Sequence, residues 1–420
     1  MVPNGWKEVK LGDVISHQKG FAFKSEHYCA EGKRIIRISD TDRNSIHDKS
    51  PVYINDNNSA GLERYTLSTG DIILSTVGSR PHLLDSMVGK AVQIPSKDEG
   101  ALLNQNLVKI SPKKKLITNN YLFSMLKKNR FNFFISTLVR GNANQVSITL
   151  NELFSYKFLL PTYDEQRKIA KILSTWDKAI ATTEKLIESS KQQKKALMQQ
   201  LLTGKKRLVN PETGKVFQGE WERHAMSDLA FIDRKSLGKK TPDDFKFQYI
   251  SLSDVAVGSI SKELEVHKFA SAPSRARRVI QEGDILLSTV RPNLKGFAKV
   301  SGNHADCIAS TGFSVLTPKK RVSGDYIYQY IFSSHVTGQI DSLVVGSNYP
   351  AINSSDVAGL KVYCPTYEEQ QKIASVLTTA DKEIEVLEAK LDHLKDEKKA
   401  LMQQLLTGKR RVKVEEMEVA

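Results

Sequence analysis

Hydrophobic positions along this chain follow two patterns, and each pattern occurs twice. The first places apolar or small residues at alternating spacings of four and three: Ile169, Leu173, Trp176, Ile180, Thr183, Ile187, Ser190, Leu197 and Leu201. A second such series runs through Ile373, Leu377, Ala380, Ile384, Leu387, Leu391, Leu394, Leu401 and Leu405. This spacing is a heptad seam, and a lysine fills the same slot in each series, Lys194 and Lys398. Pro-Thr followed by acidic residues supplies a helix start after Pro161 and Pro365, and Gly204 and Gly408 supply the stops. Each series predicts one helix of about 40 residues, roughly 60 Å long. The second pattern is a short continuous apolar run after a turn. Gly70-Asp71-Ile72-Ile73-Leu74-Ser75-Thr76-Val77 matches Gly283-Asp284-Ile285-Leu286-Leu287-Ser288-Thr289-Val290. Ile36-Arg37-Ile38-Ser39-Asp40 likewise matches Ile250-Ser251-Leu252-Ser253-Asp254. Such runs predict buried strands. Shorter helices are expected around residues 119–134 and 325–335.

The chain is thus written twice, with a period of about 204 residues, far beyond any solenoid unit. Pro161-Thr162-Tyr163-Asp164-Glu165-Gln166 returns as Pro365-Thr366-Tyr367-Glu368-Glu369-Gln370, and residues 194–205 recur unchanged as 398–409. Residues 6–14 resemble 221–229 more distantly. The frameworks are shared while the rest diverges, which is the pattern of two readers of different sequences. The predicted organisation is α+β: compact α/β domains at 1–160 and 207–364, long helices at 161–206 and 365–411, and a tail at 412–420. Antiparallel pairing of the helices spares the chain a return along their full length. It predicts a pseudo-two-fold dumbbell, with a coiled-coil spacer holding the domains apart. Two core helices that pack separately are the simpler alternative.

Composition adds a partner class. The net charge of +15 favours a polyanion, because each neutralised phosphate releases condensed counterions. Many of the cations are clustered, at Lys113-Lys114-Lys115, Lys205-Lys206-Arg207, Arg275/Arg277/Arg278, Lys319-Lys320-Arg321 and Lys409-Arg410-Arg411. Three cysteines at irregular spacing suit a reducing cytoplasm, and neither a membrane span nor a signal peptide is expected. Catalytic signatures are missing. Gly238-Lys239-Lys240-Thr241 lacks the upstream glycine of a phosphate loop, and no well-spaced acidic-x-Lys on a second strand follows Pro242-Asp243-Asp244, which reads as a turn. The nine histidines show no metal spacing. No Asn/Asp-Pro-Pro-aromatic element, the mark of an adenine methyltransferase, occurs. The chain reads as a binding scaffold, not an enzyme.

The two Pro-Thr-Tyr-(Asp/Glu)-Glu-Gln starts, the two Leu-Leu-Thr-Gly-Lys ends and the Gly-Asp-Ile-(Ile/Leu)-Leu-Ser-Thr-Val segments closely resemble the specificity subunit of type I restriction–modification systems. The resemblance covers nearly the whole chain. It implies two target-recognition domains on double-stranded DNA, separated by conserved helices that dock two methyltransferase subunits, with restriction–translocase subunits joining. S-adenosylmethionine and ATP would then sit on those partners, leaving this chain without a cofactor. Two non-identical halves in one chain predict a bipartite, asymmetric target whose unread gap is at most about two turns of duplex.

Base readout favours Arg on guanine and Asn or Gln on adenine. Loops after the recurrent strands carry Ser79, Arg80 and His82 in one half and Arg291 and Asn293 in the other. An Arg-Pro step at nearly the same place suggests a shared loop, although surface salt bridges would also account for the two arginines. Amide-rich loops before the long helices carry Asn142, Asn144 and Gln145, and Ser347, Asn348 and Tyr349. Ordinary Asn-Gly turns are an equally good reading of any single one of these. Arg275, Arg277 and Arg278 are candidates for phosphate contact. Two rivals remain. A coiled-coil assembly protein would not bind a defined duplex more tightly than a random one as salt rises. A stand-alone DNA-binding regulator would form no stable complex with a methyltransferase subunit.

Overall fold

The computed structural model describes residues 2–79, 83, 86–139, 145–344 and 350–414. The chain divides into two units, residues 1–183 with 390–420, and residues 184–389. Each contains part of both long helices, Tyr163–Leu201 and Tyr367–Leu405.

A four-stranded antiparallel sheet recurs in both units. In the first its order is Ile15–Lys19, Leu107–Pro112, Ile72–Ser75, Ala91–Gln93. In the second it is Ala230–Ile232, Phe313–Pro318, Ile285–Ser288, Phe297–Lys299. The repeated Gly-Asp-Ile runs form the third strand, and their lack of polar alternation has a direct cause. Successive side chains of a strand face opposite sides, and here both sides are covered. Ile72 and Leu74 join one apolar core while Ile73 joins another; Ile285 and Leu287 likewise part from Leu286. Each of these side chains is fully buried, contributing about 1.5–3 kcal/mol relative to exposure.

A second sheet in each unit shares three strands and differs at its edge. Lys33–Ile36 and Lys246–Ile250 each lie between an antiparallel neighbour and a parallel one. The first unit extends this sheet on the antiparallel side with Tyr28–Cys29. The second extends it on the parallel side with Ala276–Val279. The helices expected around 119–134 and 325–335 are each broken in two. They are Asn119–Leu126 and Asn129–Leu138, and Gly324–Ile331 and Ser334–Leu343. The break occurs where Lys128 and Ser333 turn extended, and Ser333 caps the following helix through its hydroxyl.

The repeated Glu-Gln pair anchors each long helix to its domain. Gln166 donates to Pro161 O (3.1 Å) and accepts from Thr118 N–H (2.8 Å), so it ties the helix start to the cap of Asn119–Leu126. Gln370 repeats this with Pro365 O (3.0 Å) and Ser323 N–H (3.0 Å). The neighbouring carboxylates take arginines. Arg411 reaches Glu165 at 2.6 Å in the first unit, and Arg207 forks onto Glu369 at 2.7 and 2.6 Å in the second. Two cations assigned above to a polyanion partner are therefore committed to the fold.

Every position of the predicted seams is buried or half-buried. The lysines in the seams have acidic partners: Lys398 pairs with Asp177 in the first unit, and Lys194 with Asp381 (2.5 Å) in the second. Lys191 also pairs with Glu388 (2.7 Å), so within the second unit the two helix segments run in opposite directions. Asp177–Lys398 and Glu165–Arg411 give the same sense in the first.

Gly204 and Gly408, just past the helix ends, both hold φ of +69°. A Cβ on Gly408 would meet Pro3 at 2.4 Å, whereas one on Gly204 would come no closer than 3.4 Å, to Trp221. Both alanine variants carry left-handed strain, so Gly204→Ala should cost about 1–2 kcal/mol and Gly408→Ala about 1 kcal/mol more. Urea unfolding compares them. Equal losses would mean that Pro3 gives way without penalty.

Candidate nucleic-acid interface

Four of the loops singled out by the sequence belong to a device present in both units. In the first, Val77–Ser79 pairs antiparallel with Gln145–Ser147, placing Ser79 opposite Gln145. Ile148 N–H continues the ladder to Thr76 O at 3.0 Å. In the second, Val290 bridges Ala351, Ile352 N–H donates to Thr289 O (2.9 Å), and Arg291 N–H donates to Pro350 O (2.7 Å). Ile148 and Ile352 are both buried and fix the ribbons to their cores. Strand and amide loop, far apart in sequence, thus leave from one ribbon end in each unit. Arg80, His82, Asn142, Asn144, Ser347, Asn348 and Tyr349 lie outside the described residues.

The second ribbon ends in a constrained turn. Arg291 has φ 48° and ψ 51°, a left-handed conformation that costs a residue with a side chain about 1–2 kcal/mol. Pro292 is buried, while Arg291 and Asn293 are exposed. Strain of this kind persists where the surroundings enforce it, and it concentrates at functional sites.

This repeated geometry accompanies a match in sequence. Residues 3–192 and 219–396 each match the family described as the type I restriction modification DNA specificity domain. The chain belongs to this family. It is 26% identical to a Methanocaldococcus jannaschii protein provisionally named the MjaX type I restriction enzyme specificity subunit, over 98% of this chain and 95% of the relative. The MjaVIII specificity subunit of the same organism is 25% identical over 98% of this chain and 94% of its own. The S subunit of a type I restriction–modification system from M. genitalium has the same fold. It has a TM-score of 0.59 at 13% identity, with 96% of each chain covered. Specificity subunits are the non-catalytic, DNA-recognising members of these systems. No helix among the described residues is long and apolar enough to cross a membrane, and no cluster of His, Cys, Asp and Glu among them could hold a metal ion.

Within this specificity subunit the remaining candidates separate by environment. Gln145 and Arg275 are exposed. Ser79 is half-buried, and its hydroxyl is shared with Ser86 at 2.6 Å. Arg277 lies over the Phe269 ring at 4.7 Å and donates to Ala276 O at 2.8 Å. Arg278 pairs with Asp233 at 2.8 Å. The cluster at Arg275/Arg277/Arg278 is thus one exposed guanidinium beside two that support the fold. Lys113 and Lys319, from the other clusters, donate to Asp13 O (2.9 Å) and Ser227 O (2.6 Å). Sequence reasoning missed Leu294, which is exposed on the same turn as Arg291 and Asn293. The signal available was an Arg-Pro-x-Leu order shared by both halves.

Proposed function

We propose that this specificity subunit reads a bipartite, asymmetric DNA target in the cytoplasm, each recognition domain contacting one half-site through the loops at its ribbon end. The observation that carries this reading is the ribbon itself. One backbone device occurs in both units, and the loops attached to it differ between the halves. A shared frame with divergent reading residues is what two different half-sites require. The two helices of 39 residues serve as an antiparallel coiled-coil spacer of about 60 Å. Their near-identical segments offer two copies of one docking surface, suited to two methyltransferase subunits. Restriction–translocase subunits complete the assembly, and S-adenosylmethionine and ATP are bound by those partners, with no cofactor on this chain.

The test is methylation sequencing of DNA from cells expressing this chain with its methyltransferase subunit. The expected result is a gapped motif methylated at adenine. Exchanging residues 1–156 for those of a relative should change one half of the motif, and exchanging 216–360 the other half. A motif that survives either exchange unchanged would refute the two-reader model. A purified complex with a single methyltransferase subunit would refute the paired docking surfaces.

A further inference from the structure

The turn after Ile285–Ser288 exposes a third side chain besides its arginine and asparagine. Pro292–Leu294 forms a single 3-10 turn. It is closed by Leu294 N–H to Arg291 O and Lys295 N–H to Pro292 O, both 2.9 Å. The residues on either side, Arg291 and Lys295, are both left-handed, at φ 48° and 52°. Pro292 is buried, and with Asn293, Lys295, Thr337, Ile340 and Asp341 it lines a cavity of about 170 Å³. The turn is thus seated on helix Ser334–Leu343, yet Leu294 is 63% exposed. A lone exposed leucine is ordinary on a protein surface. This one is held by two strained residues, and packing among the described residues does not account for it. In the first half Leu83 follows Arg80 in the same Arg-Pro-x-Leu order and is 53% exposed, although the loops beyond the two leucines differ in length.

We propose that Leu294 is a specificity residue that packs against the C5-methyl group of a thymine in the major groove of the half-site read by the second unit. The inference rests on the DNA-reading function proposed above. In the major groove guanine offers two acceptors, adenine a donor and an acceptor, and thymine an apolar methyl beside its acceptor. Arg291, Asn293 and Leu294 present the complementary three chemistries within four residues. The strained backbone holds them without the ordering cost that a flexible loop would meet on binding.

The experiment uses the full chain in complex with its methyltransferase subunit and duplexes of the motif found by sequencing. Each thymine in turn is replaced by deoxyuridine, which removes only the methyl. One replacement in the half-site of the second unit should weaken the wild-type complex about fourfold, the worth of one buried methyl. Leu294→Ala should bind the thymine duplex at least as weakly and no longer distinguish thymine from uridine at that position. Leu294→Met should restore part of the difference. The proposal is overturned if that half-site contains no thymine, if uridine is tolerated everywhere, or if Leu294→Ala discriminates as the wild type does. Loss of binding by Leu294→Ala without any uridine effect also overturns it, in favour of a wedge between base steps. If the wild-type complex prefers no sequence at all, the DNA-reading function itself fails.

Discussion

Arg207→Ala should destabilise the second unit by about 3–5 kcal/mol, the cost of leaving a buried carboxylate without its partner. The Glu369 side chain is 0% exposed, and both of its oxygens are held by the Arg207 fork at 2.7 and 2.6 Å. The equivalent change in the first unit, Arg411→Ala, should cost about half as much, because Glu165 has other donors. Trp6 Nε1 donates to it at 2.9 Å and Thr162 Oγ1 at 3.0 Å, whereas the matching indole nitrogen of Trp221 is buried with no partner among the described residues. Thermal or urea unfolding of the two variants decides the matter, and equal losses would contradict it. Acid provides a second check. Burial pushes the Glu165 carboxyl up, but Arg411, Thr162 and Trp6 outweigh burial and hold it below its usual range. Its ionised form therefore adds stability above the carboxyl's unfolded pKa, and that stability is lost as pH falls through the lower folded value. Arg411→Ala should show a shallower acid loss than the wild type.

The same residues show what the sequence could and could not convey. The heptad seams were legible because an amphipathic helix displays its buried face at fixed spacing. The central strands were legible because runs such as Ile72-Ile73-Leu74 serve two cores and carry no polar residue. The fates of Arg207 and Arg411 were not legible. Each sits in a basic cluster that reads as solvated charge, and the carboxylate it meets lies 162 or 246 positions away. Arg277 and Arg278 were hidden for the same reason, since neither Phe269 nor Asp233 is marked as a partner by spacing. The sequence offered one pair of loops after the recurrent strands and another before the long helices, but only backbone pairing places Ser79 beside Gln145 and Arg291 beside Pro350. Local periodicity records which face a residue turns inward; it holds no record of which distant segment lies against it.

Arg291 lets fold and recognition be separated in one residue. Alanine there removes the guanidinium and keeps the left-handed strain, whereas glycine removes both, because it adopts φ near 48° without steric cost. Arg291→Gly should therefore fold with stability equal to the wild type or up to about 1 kcal/mol higher, and Arg291→Ala should be the less stable variant. Both should bind the specific duplex roughly 10- to 100-fold more weakly if the arginine reads a guanine, with discrimination relaxed at a single base pair. Contact with a phosphate predicts something else: weaker binding to specific and random duplexes alike, and a salt dependence shallower by about one counterion. Titrations of both variants at two salt concentrations distinguish these cases. A glycine variant that loses more than about 1 kcal/mol of stability while keeping its specificity would make the arginine a structural residue. The strain at φ 48° would then serve only to join the ribbon to the turn.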